Sequence, residues 1–334
     1  MTPAAPTRVR IPVPHRGSTT AITLGVPAAM VSVAVAVALA WRPELPDPIA
    51  THWGPGGVAD RFGPFGPHVI AHAAIVTVFA GGMWAFGWFW GREAMSRRLA
   101  AGAAVWFAGV LSGILLGNLY LQRGLADATD VGTAGGPLAF AFATGTVAAI
   151  LAAWAVPGDA PSPTRDPLPA GAMTLDLGSG EQATWVQEVG QEGLKVIIAI
   201  VLTFAVLIGV LTRQWAFVGA ITAAIGLLLA AILRWTVTVD HNGLTARSTV
   251  RWPLVRVPLD EVVVAEEVQV DPLREFGGWG LRAGRGGRTG VVVRKGGALQ
   301  VERTGGRVLV VTVDDAATGA ALLNTLAART RPNG

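Results

Sequence analysis

Residues 45–63 read LPDPIATHWGPGGVADRFG, a polar stretch set between two long apolar runs. It is no helix. Pro46, Pro48 and Pro55 lack an N–H and fix φ, while Gly54, Gly56 and Gly57 permit turns that other residues resist. Three side chains within this turn-forming frame can do more than fill space: the imidazole of His52, the amphipathic ring of Trp53 and the carboxylate of Asp60. A short structured loop at a membrane surface is where a membrane protein would read a ligand or partner.

The surrounding composition supports a membrane setting. The chain is 51% hydrophobic and only 14% charged, against about 25% charged in an average soluble domain. Cysteine is absent, which excludes disulfides, thiolate nucleophiles and Cys-ligated metal centres. The formal charge is +4, carried almost entirely by Arg; Lys195 and Lys295 are the only lysines. An Ala-, Gly-, Val- and Arg-rich composition of this kind suggests a high-GC bacterium. The positive charge reads as membrane orientation and not as nucleic-acid binding, because no basic helix or aromatic–basic surface stands out.

Six uncharged runs approach spanning length, at about 21–41, 67–91, 99–122, 137–156, 196–212 and 215–233. A spanning helix takes about 20 apolar residues, with about 17 as a lower bound. The first run follows basic residues, so a cleaved signal peptide competes with a retained span. The last two, separated by Arg213 and Gln214, read as a tight helical hairpin, either spanning or re-entrant. If the amino terminus is inside, inner segments carry Arg8, Arg10, Arg16, Arg92, Arg97, Arg98, Arg165 and Lys195. Outer segments carry Arg42, Arg61, Arg123 and Arg213, and the excess favours that orientation. The loop then faces outward and both termini are cytoplasmic, in a bacterial plasma membrane. Trp41, Trp84, Trp88, Trp90, Trp154, Trp215 and Trp235 lie near run ends and read as interfacial anchors.

The expected organisation is a disordered tail over 1–20, then a four-helix transmembrane domain over 21–156 with an outer loop at 42–66. A cytoplasmic linker with a hairpin follows over 157–195, then a transmembrane helical hairpin over 196–234 and a cytoplasmic domain over 235–331. In the linker, 173–186 (MTLDLGSGEQATWV) alternates apolar and polar residues and predicts a β-hairpin docked on the last domain or on the membrane surface. After Arg234 the period becomes two. Strands are predicted at 235–240, 244–250, 254–258, 261–270, 289–295, 298–303 and 307–313, with turns at 240–243, 296–297 and 304–306. A helix over 314–329 follows, so the fold class is an α-helical membrane bundle followed by a small antiparallel β-barrel or sandwich with a carboxy-terminal helix.

Two resemblances bear on this. Pro46, Thr51, His52, Trp53, Gly57 and Asp60 form a pattern similar to a bacterial membrane family of unknown function that includes the amino-terminal part of SdpI-type toxin-immunity proteins. This resemblance implies a binding or structural role for those six residues and, by analogy, an immunity-type role. The strand order after 235, with the FGGWGLR stretch at 276–282, resembles the bacterial pleckstrin-homology-like domains appended to membrane proteins. It implies the fold and no ligand.

Candidate chemistry concentrates on histidine. His68 and His72 are four apart and share a helix face. With His52 and Asp60 folded back towards them, four ligands would suit Zn²⁺ or Cu²⁺. The same cluster could sense pH, and the plainer reading is that His52 and Asp60 bond one another or the loop backbone. Asp271, Arg274 and Arg282, with Trp279 between the arginines, read as a solvated loop or as a headgroup- or protein-binding edge. Gly109, Gly113 and Gly117 place small residues on one helix face, for packing within the bundle or for a homodimer. No phosphate loop, H-E-x-x-H pair or serine elbow occurs, so no catalytic motif is found and no cofactor beyond that metal option is implied. The expected function is a non-enzymatic sensor, scaffold or immunity-type protein that couples the outer loop, and an unknown protein or peptide partner, to the inner domain. A transporter or a metal-dependent membrane enzyme is the alternative; nearly uncharged spans argue against transport.

Overall fold

The computed structural model describes residues 13–331 except 55, 179, 192, 213–214, 252 and 285–286. Most of the expected amino-terminal tail and the turn at Arg213 and Gln214 therefore lie outside the described residues. The chain divides into two compact units, one covering Pro12–Asp159 and the other Ala160–Gly334.

The first unit is a helical bundle. Helix α1 (Arg16–Thr20) runs through one π turn (Ala21–Gly25) into α2 (Val26–Trp41). The π turn sits just before Pro27, whose ring and missing N–H do not suit a regular turn there. Strands β1 (Ile49–Trp53) and β2 (Ala59–Gly63) form a small antiparallel hairpin. Helices α3 (Phe65–Trp90), α4 (Ala94–Tyr120) and α5 (Gly135–Ala155) complete the unit. Among the described residues four segments, Arg16–Glu44, Phe65–Trp90, Ala94–Tyr120 and Gly135–Ala155, are long and apolar enough to cross a membrane.

Burial in the bundle is inverted relative to a soluble protein. Large residues such as Ile70, Val78, Phe140 and Ile150 are exposed, while Ala34, Ala38, Ala80, Ala101, Ala108 and Ala141 are buried. Small residues let helices approach where lipid supplies no hydrophobic drive between them. The α4 glycines make this concrete. A Cβ at Gly113 would lie 2.7 Å from Ala141 Cβ, one at Gly109 would lie 3.2 Å from Gly145 Cα, and one at Gly117 would overlap Pro137. The glycine face is thus filled by α5 of the same chain, so a homodimer would have to use another surface.

At the end of the bundle away from β1–β2, Arg97 is fully buried. It donates to the carbonyls of Gly91 (2.9 Å) and Pro157 (3.1 Å) and pairs with Asp159 (2.8 Å). Arg97, counted among the basic residues of the inner segments, ties the α3–α4 turn to the segment after α5. A carboxylate and three carbonyls are what compensate a buried guanidinium.

The second unit is a β domain with a helical hairpin inserted in it. Strand β3 (Trp185–Gly190) is followed by α6 (Leu194–Thr212) and α7 (Trp215–Leu233), and β4 (Arg234–Asp240) follows directly. Then come β5 (Gly243–Ser248), β6 (Leu254–Val257), β7 (Val262–Val270), the short helix α8 (Pro272–Phe276), β8 (Gly280–Ala283), β9 (Thr289–Val292), β10 (Gly296–Arg303), β11 (Arg307–Thr312) and α9 (Ala316–Arg329). Four strands pair in the order β3-β4-β5-β6 and five in the order β7-β10-β11-β9-β8.

Several expectations are corrected here. The 173–186 stretch is no β-hairpin: residues 172–178 form no strand, and β3 pairs with β4 from Trp185↔Val239 to Gly190↔Arg234. The period-two pattern of Leu175 and Leu177 instead reflects an extended segment laid on the domain core, with Leu175 N–H donating to Thr325 Oγ1 (2.8 Å). Docking on the carboxy-terminal domain is as expected. The domain therefore starts well before 235. The sheet is not wholly antiparallel, since β9 and β11 run parallel. Gly296 and Gly297 belong to β10, not to a turn. Trp235 is 2% exposed in the β-domain core and anchors no interface.

Helix α9 closes the domain. Asp315 caps it by accepting from Thr318 N–H (3.3 Å). Buried Asn324 accepts the N–H of Ala265 in β7 (2.8 Å) and donates to the Ala265 carbonyl (2.9 Å) and to the Met173 carbonyl (2.9 Å). Buried Glu261 accepts from Arg303 (2.6 Å), Arg307 (2.9 Å) and the Ser162 N–H (3.2 Å).

Candidate functional site

The loop around His52 is a built structure. After α2, the Asp47–Pro48 peptide is cis, and Leu45, Pro46, Ile49 and Ala50 turn inward. Leu45 and Ile49 join Ala34, Ala38, Phe65, Val69, Leu115 and Leu119 in one cluster. Burying Ile49 fully is worth about 2 kcal/mol by area, which is why the chain does not hang free here.

Polar contacts then fix the register. Fully buried Gln122, just past α4, accepts the Ala50 N–H (2.6 Å) and donates to the Ala50 carbonyl (3.1 Å) and the Asn118 carbonyl (3.0 Å). Its amide occupies the outer edge of β1 as a neighbouring strand would. Trp53 Nε1–H donates to the Gly132 carbonyl (3.0 Å) in the α4–α5 connection. Arg123 pairs with Glu44 (2.8 Å) and lies over the Trp41 ring at 4.9 Å. Arg42 pairs with Asp47 (2.8 Å). In that connection, bonds from the backbone N–H and hydroxyl of Thr129 hold the Asp127 carboxyl below the usual carboxylate range.

The turn is closed by Gly54 N–H to the Val58 carbonyl (2.9 Å) and Gly57 N–H to the Gly54 carbonyl (2.9 Å). Gly57 sits at φ 75°, a left-handed conformation that glycine takes without strain. Gly54 leaves room for a carboxylate: a Cβ there would lie 2.8 Å from Asp60 Oδ2.

The outer surface carries the candidate chemistry. His52 Nδ1–H donates to Asp60 Oδ1 at 2.5 Å, and both side chains are about half exposed. An ionised carboxylate only accepts, which assigns the proton to Nδ1. Arg61, Phe62 and Val58 are exposed beside them. Thr51 Oγ1 donates to the Arg61 carbonyl (3.2 Å), so Arg61 faces β1. Ala50 turns both its backbone groups to Gln122, so its ladder partner Phe62 turns its own to the open edge of β2, which pairs with β1 alone among the described residues.

Of the predicted metal ligands, the structure pairs His52 with Asp60, and His68 and His72 share no metal-holding group with them. His68 is half-buried on α3, and His72 is buried with Nε2 3.5 Å from Ser112 Oγ on α4. No group of three or more His, Asp or Glu side chains able to hold a metal ion forms among the described residues. The imidazole of His72 points into the helix packing, whereas His52 lies on the solvent face of β1. In the segment read as a solvated loop or a binding edge, Arg274, Trp279 and Arg282 are exposed and Asp271 has a structural role. A bond from the Arg274 backbone N–H holds its carboxyl below the usual range, with Lys295 adding to this, as Asp271 caps α8.

Residues 29–77 match the model of a family described as a domain of unknown function, DUF1648. The match runs from α2 through the β1–β2 hairpin into α3, so it includes all six loop residues singled out above. It covers well under half of the chain. No curated protein and no solved structure matches.

Proposed function

We propose that this chain is a multi-pass bacterial plasma-membrane protein that works by contact, with the β1–β2 hairpin as its extracytoplasmic reading surface. The observation that carries this is the hairpin's asymmetry. Its inner side is fixed by Gln122, Ile49 and Trp53, while its outer side offers the His52–Asp60 pair, Phe62 and an unpaired strand edge. An unpaired edge suits an extended protein or peptide segment, which supplies main-chain hydrogen bonds and side-chain contacts at alternate positions.

In this reading α6 and α7 add two crossings, both termini are cytoplasmic, and the β domain is a pleckstrin-homology-like module that responds to occupancy of the loop. The two sheets and the closing helix α9 support that module. Coupling requires the ligand to favour one state of the bundle.

A photoreactive residue at Phe62 tests the surface. In intact cells it should give a defined adduct that His52→Ala with Asp60→Ala abolishes, while the same probe at lipid-facing Ile70 gives none. Adduct formation should also change the protease sensitivity of residues 235–331. An adduct indifferent to the double substitution, or no adduct, removes the reading.

A further inference from the structure

The inserted hairpin leaves no slack between helix and sheet. Helix α7 ends at Leu233 and β4 starts at Arg234. On the other side, Gly190 pairs with Arg234, and the Gln191 N–H donates to the Leu233 carbonyl (3.1 Å). The β3–β4 ladder therefore continues to the foot of the hairpin. Each helix has 19 residues, about 28 Å at 1.5 Å per residue, which is close to the hydrocarbon thickness of a bilayer. Val196, Ile200, Phe204, Leu207, Val210 and Leu227 of the hairpin are exposed.

The end of the four-stranded sheet at this foot carries a distinct set of residues. Lys195 lies exposed in the first turn of α6, and Arg234 is exposed at the other leg. The turn after β5 folds over that leg, with Thr249 N–H donating to the Arg234 carbonyl (3.1 Å), and presents exposed Arg251. Gly280 of β8 abuts Ile232, where a side chain would overlap it, and sets exposed Trp279 beside the same foot. Glu188, the acidic residue of β3, is two rungs from the foot, opposite Thr236, in a rung that also holds Arg247. A shallow groove of about 400 Å³ runs up α6 from Lys195 past Val196, Ala199, Ile200, Thr203 and Phe204, and is almost wholly apolar.

We propose that this foot is a binding collar for an anionic phospholipid, with Lys195, Arg234 and Arg251 facing the headgroup and an acyl chain lying in the α6 groove. The proposal rests on the reading that α6 and α7 enter the bilayer. Basic residues at a cytoplasmic membrane surface attract anionic headgroups, and an indole suits the same depth. The collar would hold the β domain flush against the leaflet.

The absence of native cysteine makes a direct test practicable. The full chain carrying a single fluorophore on Leu207→Cys or Thr249→Cys is placed in nanodiscs of phosphatidylcholine, with or without phosphatidylglycerol. Acyl-chain nitroxides should quench the label at 207 in both lipids. Headgroup nitroxides should quench the label at 249, about twofold more strongly with phosphatidylglycerol. Arg234→Gln with Arg251→Gln should erase that lipid dependence and leave the signal at 207 unchanged. An unquenched label at 207 overturns the membrane reading of the hairpin and the collar with it. Quenching at 207 with a label at 249 that is unquenched, or indifferent to lipid charge, overturns the collar alone.

Discussion

Gln122 and Ala50, 72 residues apart, are joined by two hydrogen bonds: the buried amide of the one satisfies both the N–H and the carbonyl of the other. This is the joint through which the end of α4 holds the β1–β2 hairpin in place. Gln122→Ala would leave two buried backbone groups of Ala50 without partners, at about 1–3 kcal/mol each. We expect a lowered unfolding temperature in detergent and rapid amide exchange at Ala50. Unchanged exchange there would show that the hairpin holds its place without the amide.

The Arg97–Asp159 pair at the other end predicts a different pattern. Arg97→Ala takes the guanidinium away from half-buried Asp159 and from three carbonyls, and should cost about 3–5 kcal/mol. Asp159→Asn retains an acceptor for the Ala94 N–H and should cost less. Equal losses in chemical unfolding would contradict this ordering.

The α4–α5 contact should respond to a single methyl group in a graded way. Gly117→Ala meets the Pro137 ring and should cost about 1–3 kcal/mol. Gly102→Ala brings its methyl to 3.5 Å from the Ala149 carbonyl oxygen, an ordinary contact, and should be near neutral. Thermal melts of the two variants compare them directly.

Acid should loosen the end of the β domain through Asp315. The bond to Thr318 depresses its carboxyl pKa, with help from Trp185. A depressed folded-state pKa means stability that is present above the unfolded value near 3.8 and is lost as pH falls through the lower folded value. Asp315→Ala should cost about 1 kcal/mol at neutral pH, as loss of an N-cap does, and should flatten this part of the pH dependence. Melts between pH 7 and pH 3 would check both.

The sequence made some of this legible and hid the rest for physical reasons. The strands from 235 onward announce themselves because one face of each sheet is buried, which enforces a period of two. Helix α9 is marked by its acidic start and its apolar spacing. Strand β8 has four residues after a run of glycines and carries too short a pattern. Trp235 misleads because it directly follows an apolar helix while its ring belongs to the sheet core. His52 and Asp60 lie eight residues apart across a turn, so their pairing could be read locally. Gln122 could not, because its partner is distant in the chain and a polar residue at the end of an apolar run reads as an interfacial one. Asn324 shows the same device in the β domain, clamping Ala265 from 59 residues away.

The insertion of α6 and α7 between neighbouring strands also orders events during synthesis. Strand β3 leaves the ribosome before either helix, and its partner β4 emerges only after both. The sheet can close only once the second helix has brought the chain back to where the first one left, so pairing of Gly190 with Arg234 marks the completion of a correctly threaded hairpin. A chain in which the second helix failed to return would hold β3 and β4 apart, with the hydrophobic core of the domain split open and recognisable to quality-control proteases.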